Sequence, residues 1–254
     1  TQDAVTGKYI VPVYTFGDDN KSFSDSVPSK ENGYELMAIY NQKGQCGDDL
    51  TFYVSLDNTL LIEGTGDMWD FEEGQSPWAE SSKNIREVAF PDKLTKIGSF
   101  AFENCELITR FDIPERVTQI GIGAFKNCYN LYQFVIGPNV TDLGSGLFAG
   151  CSSLRIVDDS QNNLFEVADG YLYDLDNEIL LGFLRETLYE DQQLKTLYKN
   201  ETDYTVPDYI KVIGAMAYYE ADSFHTLLIP ETVTDIQDRA FYGIQGLENI
   251  DLAS

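Results

Sequence analysis

The side chains that could carry chemistry in this chain are one histidine, four cysteines and 42 aspartates and glutamates. Nucleophilic catalysis needs a hydroxyl or thiol within reach of a base, and His225 is the single imidazole. It occupies a position held in related stretches by Arg86, Thr109, Tyr132 and Arg155, which fits a solvent-facing residue better than a base. Zinc wants close pairs such as C-x₂-C together with histidine, whereas Cys46, Cys105, Cys128 and Cys151 are far apart. Asp18-Asp19-Asn20 and Asp174 to Glu178 gather oxygen ligands in turn-like stretches. An EF-hand needs Gly at its sixth position and Glu at its twelfth; from Asp174 these are Ile179 and Arg185, and from Asp18 the sixth is Phe23. Both stretches therefore fit solvated turns. Paired carboxylates of the kind that hydrolyse glycosides arise by chance at this density and single out no residues. The stretch GTGDMW from Gly64 lacks the spacing of a phosphate loop. The expectation is no catalytic residue, no metal and no cofactor, and a chain that is not an enzyme.

What must position these residues is a repeat, because a fixed period fixes an architecture. IREVAFPDKLTKIGSFAFENC, ITRFDIPERVTQIGIGAFKNC and LYQFVIGPNVTDLGSGLFAGC start at Ile85, Ile108 and Leu131, 23 residues apart. The register reaches Leu154 and returns in copies at Glu201 and Phe224, with a partial copy at Leu247. A slot that is apolar in every copy faces a shared core. Val88, Phe111, Phe134, Val157, Tyr204, Leu227 and Ile250 form one such column, and Phe90, Ile113, Ile136, Val206, Ile229 and Leu252 another two residues on. That alternation predicts a short strand per coil, apolar side inward. A second extended segment is predicted from Leu94, Val117, Val140, Ile210 and Val233 with Ile97, Ile120, Leu143, Ile213 and Ile236. It runs into a corner at Gly98, Gly121, Gly144 and Gly214, where Gln237 departs from the pattern. Phe102, Phe125, Phe148, Tyr218 and Phe241 place one ring per coil for stacking. Cys105, Cys128 and Cys151 share a slot filled later by Ala221 and Ile244, so they fit buried free thiols.

The pattern L-x-x-V-x-I-P-x-x-V-T-x-I-G-x-x-A-F-x-x-C, carried by residues 85–157 and 201–252, resembles the BspA-like bacterial leucine-rich repeat family. GQCGDDLTFYVSLDNTLLIEGTGDMW from Gly44, with Pro77 and Trp78 after it, is similar to the entry module before such arrays. The expected fold is a β-rich repeat solenoid, a leucine-rich-repeat-like right-handed coil, with an N-terminal β-hairpin cap. Leu50 to Leu56 and Thr59 to Glu63 flank Asp57-Asn58 as the hairpin. Its organisation is expected as residues 1–43 forming a segment of strands, 44–84 the cap, and 85–254 the array. An inserted hairpin region interrupts that array over about 155–200, turning at Asp174 to Asn177.

Charge narrows the partners. Lys and Arg number 17 against 42 acids, a formal net charge of −25, which repels nucleic-acid phosphates and anionic lipid headgroups. No apolar run approaches the roughly 18 residues of a membrane-spanning helix. The resemblance implies an exported, extracellular or cell-surface protein that adheres to host matrix proteins or other cells. Repeat scaffolds fix shape and leave ligand choice to exposed residues, and here these lie between the inward columns. Arg86, Arg110, Tyr132, Gln133, Val135, Arg155, Ile156 and Leu228 are the candidate ligand-binding residues, on a strip spaced about 4.8 Å per coil. Arginine and tyrosine are enriched at protein hot spots, so a protein partner is expected. The alternative is a carbohydrate-binding or nutrient-handling surface component, with Tyr171, Tyr173, Tyr189 and Tyr198 stacking on sugars.

Overall fold

A computed structural model of the chain describes residues 40–168, 170–184, 203–221 and 225–253. The acidic stretch at Asp18 and the tyrosines Tyr189 and Tyr198 lie outside the described residues. The cap and first coil hold β1 (Tyr40–Gln45), β2 (Leu50–Ser55), β3 (Thr59–Gly64), β4 (Gly66–Asp67), β5 (Glu87–Ala89) and β6 (Leu94–Ile97). Two strands per coil follow in β7 (Arg110–Asp112) with β8 (Gln119–Ile120), and β9 (Gln133–Val135) with β10 (Asp142–Leu143). The fourth coil opens with β11 (Ile156–Asp158) and continues as a meander of β12 (Phe165–Ala168), β13 (Tyr171–Asp174) and β14 (Ile179–Phe183). The fifth and sixth coils hold β15 (Asp203–Thr205), β16 (Val212–Ile213), β17 (Thr226–Ile229) and β18 (Asp235–Ile236), and β19 (Asn249–Leu252) follows.

Equivalent strands pair in parallel, one period apart. Arg110, Gln133 and Ile156 form one rung of the sheet β7–β9–β11, and Asp112, Val135 and Asp158 another. β4, β6, β8 and β10 form the second side of the same coils. The solenoid expected from the sequence is therefore the fold. β5 does not join β7: it pairs with the cap strand β3, Thr59 to Glu87 and Leu61 to Ala89. The cap hairpin turns where Asn58 takes a left-handed φ of 67°.

The rings form a ladder through the core. Trp78 of the cap stacks on Phe102 at 5.8 Å, Phe102 on Phe125 at 5.7 Å with planes 8° apart, and Phe125 on Phe148 at 6.2 Å. Trp78 is fully buried and its indole N–H donates to the Ala101 carbonyl at 2.7 Å, so the cap extends the ladder by one ring. The corner glycines are required by neighbouring backbone. A Cβ on Gly121 would lie 2.4 Å from the Ser99 nitrogen, and one on Gly144 2.3 Å from that of Ile122. Gln237, which holds this slot in the sixth coil, instead turns its side-chain oxygen to accept from the Ala215 N–H at 3.1 Å.

The meander divides the interior. β13 is buried on both faces. Leu172 and Leu181 pack into the core of the cap and first three coils, while Tyr171, Tyr173 and Leu180 pack into a second core with Val206, Ile213 and Tyr218. Alternation along a strand sends neighbours to opposite faces, so the meander is a wall with one core on each side. Ile250 and Leu252, expected in the inward columns, are 45% and 70% exposed in β19. No helix among the described residues is long and apolar enough to cross a membrane.

Candidate functional site

The candidate strip falls into three pieces. In β7–β9–β11 the Arg110–Gln133–Ile156 rung lies in register, flanked by Val135 on the next outward rung. Tyr132 and Arg155 precede these strands, and both the Arg155 and Ile156 N–H groups donate to the Tyr132 carbonyl, at 3.0 and 3.2 Å. These six residues form one patch. Tyr132 is 52% exposed, and Gln133, Val135, Arg155 and Ile156 are half-buried among their neighbours. Arg86 is exposed but sits against the cap, its N–H donating to the Asn58 carbonyl, across the break between β5 and β7. Leu228 belongs to the separate sheet β15–β17–β19, between Thr205 and Asp251.

The charges of the patch are partly committed inside the protein. Arg110 donates to Asp112 at 2.7 Å; the two are two residues apart on one strand and so share a face. Arg155 turns its guanidinium onto the carbonyls of Ser152 and Leu154. The patch is thus a tyrosine ring and an isoleucine edged by Arg110, neutralised by Asp112, and Arg155, held in place by backbone carbonyls.

The thiols are structural. Cys128 donates its S–H to the Phe102 carbonyl of the preceding coil at 3.2 Å, and Cys151 to that of Phe125 at 3.1 Å. Burial pushes the Cys46 thiol up to about 12 and raises Cys105 and Cys128 as well, the opposite of an activated nucleophile. All four are free, and His225 is exposed. Asp174 spends its carboxylate closing its own turn, accepting from the backbone and side-chain nitrogens of Asn177. Tyr171 and Tyr173 correct one expectation: they are 3% and 1% exposed within the second core and offer no ring face to a sugar.

A second constellation was missed by sequence reasoning. It lies at the corners, where Glu103, Lys126, Ala149, Tyr219 and Tyr242 occupy one slot just after the buried ring. Lys126 is 2% exposed and donates to Glu103 at 2.8 Å and Glu73 at 2.6 Å, with its ammonium 4.9 Å from the centre of the Tyr219 ring. Glu73 belongs to the cap and also binds Arg239 of the sixth coil. Burial disfavours the Lys126 ammonium, but hydrogen bonds to Glu103 and then Glu73 outweigh it, so its pKa lies above that of an ordinary lysine. The signal available in the sequence was the slot itself, which holds Glu103 and Lys126 one coil apart.

The model of the BspA type leucine rich repeat region matches residues 79–174 and 196–254, in six copies. No curated protein matches the sequence. Among solved structures, a leucine-rich repeat protein from Eubacterium ventriosum is 22% identical, over 82% of this chain and 68% of that one, with a TM-score of 0.44. Pneumococcal vaccine antigen PcpA is 17% identical over 84% and 71% of the two chains, with a TM-score of 0.48. A leucine rich cell surface protein from Faecalibacterium prausnitzii is 17% identical over 82% and 76%, with a TM-score of 0.38. The family model spans most of the chain, and its copies fall on the coils that carry the ring ladder and the corner glycines. The chain belongs to the BspA-type leucine-rich repeat family.

Proposed function

We propose that the chain is a non-enzymatic, exported cell-surface protein that binds a protein partner through the outward face of β7–β9–β11. The observation that supports this most is the patch built on the in-register rung of Arg110, Gln133 and Ile156, with Val135 and Arg155 beside it and Tyr132 52% exposed next to the sheet. A tyrosine beside an aliphatic side chain, edged by guanidinium groups, has the make-up of a protein hot spot. Membership of the family supports the surface location, since the resemblance ties such repeats to adhesion. The buried thiols of Cys46, Cys105 and Cys128, whose pKa values desolvation raises, and the exposed lone histidine support a binding role over catalysis. The test is label-free binding of the chain to immobilised matrix proteins and glycans at two salt concentrations. Saturable binding to a protein is expected, with modest salt dependence because the Arg110 charge is already paired with Asp112. Binding confined to glycans would replace this reading with a carbohydrate-handling one.

A further inference from the structure

The corner slot continues past Lys126 as a pile of rings. Tyr219 carries the Lys126 ammonium near one neighbour and stacks on Tyr242 of the next coil, with centroids 5.2 Å apart and planes 18° apart. Tyr242 is 56% exposed, and Tyr219 is its only ring contact among the described residues. Tyr129, three residues after Lys126, is exposed nearby. Burial first, and then the carboxylates of Glu220 and Glu106, raise its hydroxyl pKa, and the Glu220 backbone N–H donates to the Tyr242 carbonyl at 2.8 Å, which sets Glu220 beside that tyrosine. Glu106 is neutralised by Lys83 at 2.9 Å. Arg239 is held by Glu73 and Asp238. Glu220 is exposed and has no cationic partner among the described residues.

We propose that this corner face is a second docking surface, separate from the β7–β9–β11 patch, which takes an arginine- or lysine-bearing segment of a basic protein. The incoming cation stacks on Tyr242 and pairs with Glu220. The protein already performs this chemistry internally: Lys126 sits over Tyr219 with Glu73 and Glu103 around it, and Tyr242 repeats the ring one coil further on with more than half its surface exposed. A cation over a tyrosine ring is attracted by the ring's electron-rich face. The net charge of −25 draws such a partner in from a distance. A neutral glycan could also stack on these rings, but it gains nothing from that field or from Glu220.

The test is titration of the chain with an oligo-arginine peptide, followed by label-free binding at low and physiological salt. Tyr242→Ala is expected to weaken binding about tenfold, and Glu220→Gln severalfold. Leu56→Ala, at the exposed turn of the cap hairpin, is expected to leave it unchanged. Tyr242 is surface-exposed, so far-UV circular dichroism of the variant should match the parent. Equal affinity of Tyr242→Ala and the parent would overturn the proposal, since only bulk charge would then hold the peptide. An equal loss in Tyr132→Ala would overturn it by moving the site to the sheet patch, and displacement of the peptide by a neutral oligosaccharide would overturn its partner class.

Discussion

Lys126 is a lysine with 3% of its side chain exposed, facing a Glu103 carboxylate with 4% exposed. Breaking such a pair by removing one partner leaves the other charged and desolvated, which costs far more than the pair's net worth. Lys126→Met should therefore destabilise the protein by about 3–5 kcal/mol, and adding Glu103→Met should recover much of that; urea unfolding measures both. The third member brings a pH dependence. Hydrogen bonds from Lys126 first and then Arg239 hold the Glu73 carboxyl below its ordinary value. A depressed folded pKa contributes stability that is present above the unfolded value and lost as pH falls through the folded one. The gap in urea midpoint between the parent and Glu73→Gln should thus be full at neutral pH and close in the acid range below the ordinary glutamate value. It should be small, since Glu73 is 35% exposed and partly screened. The sequence could not show this network, because a lysine in a corner slot looks solvated and Glu73 lies 53 residues away. The burial of Cys105 and Cys128 was legible, because Ala221 and Ile244 fill the same slot, whereas Cys151 of that slot is half-buried.

The coil is the element that the repeat specifies, and its energetics follow from how many neighbours complete it. Phe125 is fully buried and touches rings on both sides: Phe102, Phe111, Phe134 and Phe148, with centroids 4.5 to 6.2 Å away. Phe241 is half-buried and stacks on Tyr218 alone among the described residues. Phe125→Ala should cost about 3–5 kcal/mol and Phe241→Ala clearly less, measured as the shift in denaturant midpoint at constant slope. An equal cost would mean that coils do not support one another through the ladder. Strands and corners were legible because each slot recurs and its physical role is repeated with it. The meander was legible only in part. Its turn at Asp174 shows in the acidic residues, but Tyr171 and Tyr173 looked available because no repeated slot tells a reader that β13 is buried on both faces.

At the scale of the molecule, the meander splits one repeat array into two cores and interrupts the outward strip with it. The eight residues expected on one exposed strip therefore do not share one surface. Six lie together on or beside β7–β9–β11, Arg86 stands by the cap, and Leu228 stands in the second array. Periodicity reports which residues face outward, whereas strand pairing decides which of them are neighbours, and pairing changes where β5 turns to the cap. This concentrates the proposed binding on one patch, with Tyr132 and Ile156 at its apolar centre. The most direct measurement is the affinity of a Tyr132→Ala/Ile156→Ala double variant, beside the parent, for the immobilised protein that the parent captures. A loss of about tenfold or more with an unchanged unfolding midpoint is the predicted result. Parent-like affinity in the double variant would contradict the account.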